Sequence, residues 1–229
     1  MKESQNKICI LGLGYIGLPT AALLATKGYT VHGVDIREDV VKVINAGEIH
    51  IQEPDLDVFV KSAVQSGNLT ASLAVEPANI FIIAVPTPFK KGFSPDLKYV
   101  HQAARTITPF LKEGNLIIVE STCPVGSTEG VAELIFQERP DLKNCLHIAH
   151  CPERVLPGQI MYELVHNDRL VGGVNQAATR EVALFYRKFV SGEVVETNAR
   201  TAEMAKLSEN IYRDVNIALA NELSIICAT

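Results

Sequence analysis

An α/β fold is predicted for this chain: a mostly parallel sheet with helices on both faces, followed by one long helix. Three features predict it. Short apolar runs alternate with stretches of helical period through residue 198, a glycine-rich turn stands between the first run and the first helix, and from Thr201 the pattern is helical to the last residue. The 229 residues, 47% of them hydrophobic, suffice for one large domain and part of a second. The expected division is residues 1–198 as one domain and 199–229 as the truncated start of the next.

The elements follow in order. Residues 7–13, "KICILGL", read as a buried strand, 15–27 as a helix, and 29–35 as a second strand. A helix is expected at 38–46, an apolar strand at 79–87 ending at proline, and a helix over 95–111. Residues 115–122 read as a strand, 123–137 as a turn and then a helix, and 146–153 and 169–174 as two further strands. An amphipathic helix over 176–190 and a short strand over 193–197 precede the final helix. Strands alternating with helices mean βαβ units with right-handed crossovers. The last helix carries no stop signal, which reads as an element cut off by the end of the chain.

Composition excludes several classes of function. A net charge of −5 argues against a nucleic-acid or anionic-membrane partner. No run approaches the roughly 18 apolar residues of a membrane span. The opening "MKESQNKICILG" enters a strand at once and leaves no room for a signal peptide. Five cysteines without a CxxC pair read as reduced thiols, so a cytoplasmic protein is expected. Cys145, His147, His150 and Cys151 cluster in "CLHIAHC", but alternation within a strand explains that spacing, and no metal is expected.

Gly12, Gly14 and Gly17 form G-x-G-x-x-G after a strand and at the opening of a helix, the Rossmann-like arrangement that binds dinucleotides. Gly12 permits the tight turn, Gly14 the approach of a pyrophosphate, and Gly17 close packing of the helix. Free N–H groups and the positive helix end face the phosphates. Asp35 ends the second strand, where its carboxylate can accept from ribose hydroxyls and repel a 2′-phosphate, so NAD is the expected cofactor. Arg37, two residues on, joins the candidate cofactor set, with a solvated side chain as the alternative.

Ligands of open α/β sheets sit at the carboxyl ends of the strands. There "VPTP" holds Thr87 between prolines, and "ESTCPVGST" offers Glu120, Ser121, Thr122, Ser127 and Thr128. Those hydroxyls can meet a ribose, a phosphate or a water; Ser127 or Thr128 can equally cap the helix that follows. In the last helix Lys206, Asn210 and Arg213 share one face. Lys206 and Asn210 there can orient a water or stabilise an oxyanion. The alternative is a solvent-facing stripe with Glu203 and Glu209 as salt-bridge partners.

Taken together, "GLGYIGLPTA", "GVDI", "IHIQEPDL", "AVPTPF", "ESTCPVGST", "CPERVLPGQ" and "TAEMAKLSENIYRDVNIALANELS" resemble the UDP-glucose/GDP-mannose dehydrogenase family over essentially the whole chain. "PERVLPG" and the last segment resemble its branch acting on UDP-N-acetylmannosamine, whereas the UDP-glucose branch has a Phe-Leu pair where this chain has Arg154-Val155. The resemblance implies a UDP-sugar substrate. It also implies a four-electron oxidation of a primary alcohol to a carboxylate with two NAD, through an aldehyde and a cysteine thioester. It carries NAD contacts onto Tyr15, Ile16, Asp35, Thr87 and Thr128, and substrate contacts onto Arg154, Val155, Lys206, Asn210 and Arg213. Lys206 matches the catalytic lysine; Glu153 and Thr122 match the residues that handle the proton and an ordered water. A homodimer through the 199–229 helix, dimerisation-type in the family, is also implied.

The pattern departs from the family at the nucleophile. Its cysteine lies in a glycine-rich segment after the long helix, and Cys9, Cys123, Cys145, Cys151 and Cys227 match none of it. Cys9 and Cys227 are expected in the core. A β-hydroxyacid dehydrogenase, which also joins such a domain to a helix with Lys and Asn at i, i+4, is the enzymatic rival. A free-standing NAD-binding module is the non-enzymatic one.

Overall fold

The computed structural model describes residues 7–228. Residues 1–6, where no room for a leader was read, and Thr229 lie outside the described residues.

Five buried parallel strands lay down the centre: β1 (Lys7–Leu11), β2 (Thr30–Val34), β4 (Ile80–Ile83), β5 (Leu116–Val119) and β6 (His147–His150). Short β3 (Leu69–Ser72) lines one edge, and β7 (Arg169–Gly173) and β8 (Val194–Asn198) extend the other. The order is β3-β2-β1-β4-β5-β6-β7-β8. All neighbours pair parallel except β6 and β7, where Ala149 faces Gly173 and His150 faces Gly172 in antiparallel register. The strand order reverses between β1 and β4, and a crevice opens at such a switch point.

Alternation along each strand divides the core into two layers. Ile8, Ile10, Ile82, Ile118 and Val171 pack with α1 (Gly17–Thr26), α2 (Glu38–Asn45), α3 (Leu56–Gln65), α6 (Ile160–His166) and α7 (Gln176–Tyr186). Cys9, Leu11, Phe81, Ile83 and Ile148 pack with α4 (Lys98–Ile107) and α5 (Ser127–Glu138) on the opposite face. The last helix, α8 (Ala199–Cys227), has 29 residues, of which only Ala199, Ala202 and Glu203 are buried. Asn198 caps it by accepting from the Thr201 N–H at 2.9 Å.

Three elements were not expected. β3, "LTAS", is too short and polar to show a strand period, α6 is only seven residues long, and α3 follows directly on a turn containing Pro54. The helix expected over 95–111 is shorter, because the chain tightens into a single 3₁₀ turn at Thr108–Phe110 around Pro109.

Candidate active site

Backbone sterics build the first part of the site. Gly12 has φ +92°, and a Cβ there would stand 2.6 Å from the carbonyl oxygen of Ala84 at the end of β4. A Cβ on Gly17 would run into the carbonyl oxygen of Gly12, so only glycine lets α1 start this close to the turn. Gly14 has open space where its Cβ would be, as the approach of a diphosphate to the backbone requires. Tyr15 is exposed at the rim and Ile16 is half-buried. The Asp35 carboxylate ties the turn to β2: Oδ2 accepts from the Leu13 N–H and Oδ1 from the Arg37 N–H, each at 3.0 Å. The Arg37 guanidinium is exposed and engaged by Asp39. These residues fit a dinucleotide: a bare helix N-terminus, an open glycine, and a carboxylate at the neighbouring strand end.

The ends of β4 and β5 meet across the crevice. The Thr87 hydroxyl donates to the Thr122 carbonyl at 2.8 Å, and the Ser121 hydroxyl donates to the Val85 carbonyl at 2.8 Å. The alternative in which Ser127 or Thr128 caps the helix is not the one the geometry shows. Gly126 is the cap position of α5 and supplies no side chain. The cap comes from Glu203 on α8, which accepts from the Gly126 N–H, the Thr128 N–H and the Thr128 hydroxyl. Thr128, expected to meet the cofactor, is thus fully buried with its hydroxyl donated to Glu203. Glu203, a salt-bridge partner in the alternative of a solvent-facing stripe, is fully buried as well.

The segment after β6 is held by carboxylates more than by its prolines. Glu153 Oε1 accepts from the N–H groups of Arg154 (2.7 Å) and Val155 (2.9 Å). Glu163 Oε2 accepts from the Leu156 N–H at 2.6 Å. Glu53 accepts from the N–H groups of Gly158 (2.9 Å) and Ile160 (2.8 Å). Three carboxylates therefore take five amide hydrogens of residues 154–160. The other oxygen of Glu153 is paired with the guanidinium of Arg169, and both side chains are almost fully buried.

Arg169 belongs to a larger buried network. Its guanidinium stands 5.7 Å over the Tyr186 ring, whose hydroxyl donates to Glu120 at 2.7 Å. Burial pushes the Glu120 carboxyl up to about 7, with the Arg169 charge opposing. Glu120 Oε2 and Arg169 Nε are buried without a partner. Burial also holds His150 down at about 4, reinforced by the Lys206 charge and opposed by the Val119 backbone.

Lys206 is half-buried where α8 crosses this edge. Burial lowers its pKa, while Glu153 and Glu209 raise it and Arg213 and Arg154 lower it further. Arg154 is paired with Glu209. Arg154, Glu163, Glu209, Tyr212, Arg213 and Asn216 line an open cleft of about 800 Å³ between α8 and the carboxylate-braced loop. Asn210 is exposed on α8 and Val155 is half-buried against the core. Burial raises Cys9 to about 11 and Cys123 and Cys151 to about 12, far from a thiolate at neutral pH. Cys227, expected in the core, is exposed on α8. Among the described residues no group of three or more His, Cys, Asp or Glu could hold a metal ion, and no helix is long and apolar enough to cross a membrane.

Residues 6–190 match the NAD binding domain of the UDP-glucose/GDP-mannose dehydrogenase family, and residues 200–229 match that family's central domain. The chain belongs to this family. Two curated members are the UDP-N-acetyl-D-mannosamine dehydrogenases of Campylobacter jejuni and of Escherichia coli K12, 53% and 55% identical. These alignments cover 97% and 96% of this chain and 57% and 54% of the relatives, so the chain spans about half their length. Among solved members, the UDP-D-ManNAc dehydrogenase of Pyrococcus horikoshii superposes with a TM-score of 0.90 at 46% identity, over 96% of this chain and 53% of that one. The Rossmann-like sheet read from the sequence is thus the fold of the family.

Sequence reasoning missed Glu203, Arg169 and Glu53. "IHIQEPDL" and "TAEMAKLSEN" contain two of them, but nothing in either segment announces a partner about a hundred or 75 residues away.

Proposed function

We propose that this chain is the NAD-binding half of a nucleotide-sugar 6-dehydrogenase that oxidises C6 of UDP-N-acetylmannosamine to the uronate, for surface polysaccharide synthesis in the cytoplasm. Residues 1–198 form the NAD-binding unit, and 199–229 begin a central region that pairs two copies through α8. The observation that carries the reading is Lys206 on α8, half-buried within electrostatic reach of Glu153 at the carboxyl edge of the sheet. Both family domains and the 53–55% identical relatives support it.

Bound NAD supplies the hydride acceptor. Gly12, Gly14, Tyr15, Ile16 and Gly17 hold its diphosphate, Asp35 accepts from its ribose, and Thr87 and Thr122 border its reactive end; Arg37 and Thr128 stand at the margins of this set. Arg154, Val155 and Arg213 bind the sugar nucleotide in the cleft, where Arg154 exchanges Glu209 for the ligand. The Lys206 ammonium and the Asn210 amide stabilise negative charge on the C6 oxygen. The lowered pKa of Lys206 also lets it pass a proton more readily than a free lysine. Glu153, fixed by two amides and Arg169, positions a water beside Thr122. Burial keeps Cys9, Cys123 and Cys151 from serving as thiolates, and none of the five cysteines lies in a segment like the one that carries the family's nucleophile, so we assign the thioester step to a residue that this chain does not supply.

Two measurements test the reading. Calorimetry of the chain with NAD and NADP should show binding of NAD alone. A protein that carries this chain and extends to the relatives' full length should form NADH with UDP-N-acetylmannosamine. Turnover confined to UDP-glucose would move the substrate assignment, and turnover of 3-hydroxy acids alone would overturn it.

A further inference from the structure

Glu203 is a fully buried carboxylate whose hydrogen-bond donors all come from the start of another helix. It accepts from the Gly126 N–H at 2.6 Å, the Thr128 N–H at 2.7 Å and the Thr128 hydroxyl at 2.6 Å. Burying an ionisable carboxyl is costly without such compensation, and here the α5 amides and helix dipole provide it. No local side chain can take over this cap: position 126 sits at φ +94°, where an L side chain is strained, so the acceptor comes from an acid 77 residues away. The long-range cap ties two elements together.

A second contact links the same two first turns. Arg200 on α8 donates from Nε and Nη2 to Glu129 on α5, at 2.9 and 2.7 Å to Oε2. That pair is exposed and contributes little to stability. Gly172 of β7 makes room beneath: a Cβ there would stand 2.8 Å from the Ala202 side chain. Beyond Glu203 no described α8 residue is fully buried. The course of α8 past the sheet edge is therefore set by its first five residues, with Glu203 the last of them. Lys206 follows at i+3, so it lies on the same side of the helix one turn further on.

We propose that Glu203 is a positioning residue, locking α8 to the first turn of α5 so that Lys206 stands over Glu153 at the reaction site. The catalytic importance of Lys206 rests on the function proposed above; its placement by Glu203 does not. The charged and titratable groups around Lys206 are Glu153 and Arg154 on the loop after β6, Glu209 and Arg213 on α8, and His150 on β6. Losing the Glu203 charge one turn away would by itself move the Lys206 midpoint down, so a rise reports a change of position.

The test is the titration of Lys206 in the 229-residue chain, followed by NMR of ¹³C-labelled lysine and assigned by loss of the signal in Lys206→Arg. With Glu203→Ala the burial of Lys206 is relieved and its midpoint moves up toward that of a free lysine. A midpoint that stays put or moves down overturns the proposal, since a cap serving α5 alone would leave Lys206 where it is. If Glu203→Ala does not fold, Glu203→Gln, which keeps one acceptor oxygen, should give a smaller shift in the same direction, and no shift there overturns the proposal equally. NAD calorimetry on the unsubstituted chain separates the two readings. Failure to bind NAD sinks the proposed function and leaves the Lys206 result standing.

Discussion

The Asp35 carboxylate accepts the amide hydrogen of Leu13 across 3.0 Å, so the acid at the end of β2 also fastens the glycine turn after β1. One residue thereby serves the shape of the turn and the ribose that would lie beside it. Asp35→Ala should weaken NAD binding by about 10- to 100-fold, the size of one or two hydrogen bonds to a charged group. Asp35→Asn should fall between. Calorimetry on the chain checks this, and unchanged affinity in Asp35→Ala would remove the ribose role.

Lys206→Ala should separate chemistry from binding. In a protein of the relatives' full length, loss of this oxyanion donor should lower kcat by about 100- to 1000-fold. NAD affinity should stay as it was, because Lys206 lies outside the glycine turn. Steady-state NADH formation and calorimetry read the two quantities, and an equal fall in both would mean that Lys206 supports the fold instead.

Glu120 makes stability depend on pH. Its carboxyl is raised from 4.5 to about 7 in the folded state, chiefly by burial. A raised pKa contributes stability that is present below 4.5 and lost as the pH rises through 7, a difference on the order of 3 kcal/mol. Glu120→Gln keeps an acceptor for the Tyr186 hydroxyl and removes the ionisation. The thermal midpoint of the variant should gain on that of the unsubstituted chain between pH 5 and pH 8, as read by circular dichroism; a constant difference would refute this.

His150 acts with the opposite sign. Its folded pKa near 4, against 6.5 for the free side chain, comes mainly from burial and then from Lys206. The stability it contributes is full above 6.5 and is lost as the pH falls toward 4, again on the order of 3 kcal/mol. Between 4.5 and 6.5 the two groups offset each other, so the unsubstituted chain should show a nearly flat profile there. His150→Leu should unmask the decline caused by Glu120, and Glu120→Gln the decline caused by His150. Identical slopes in all three proteins would rule the pair out.

The central strands were legible because a strand buried on both faces must be apolar throughout, as "NIFIIAVPT" is. The glycine turn was legible because its three glycines stand at a fixed short spacing between a strand and a helix, and Asp35 because it ends the next strand of the same βαβ unit. The braces of the site were not legible. Arg169 meets Glu153 across 16 positions, Glu53 reaches Gly158 across 105, and Glu203 reaches Thr128 across 75. Each is an ordinary charged residue until the fold supplies its partner. The alternative of a solvent-facing stripe put Glu203 at the surface because helical spacing does not show which face meets the sheet.

The reversed strand β7 limits how the molecule can be recombined with its cousins. Running against β6, it begins at the rim where the central strands finish, and that puts Arg169 against Glu153. Grafting in a seventh strand of the parallel kind would carry its first side chain to the far rim, about 13 Å away along four residue steps. The chimera would strand Glu153 without a counter-charge, so an exchange that reverses this strand should yield insoluble or inert protein, whereas cuts within α7 leave the pair together.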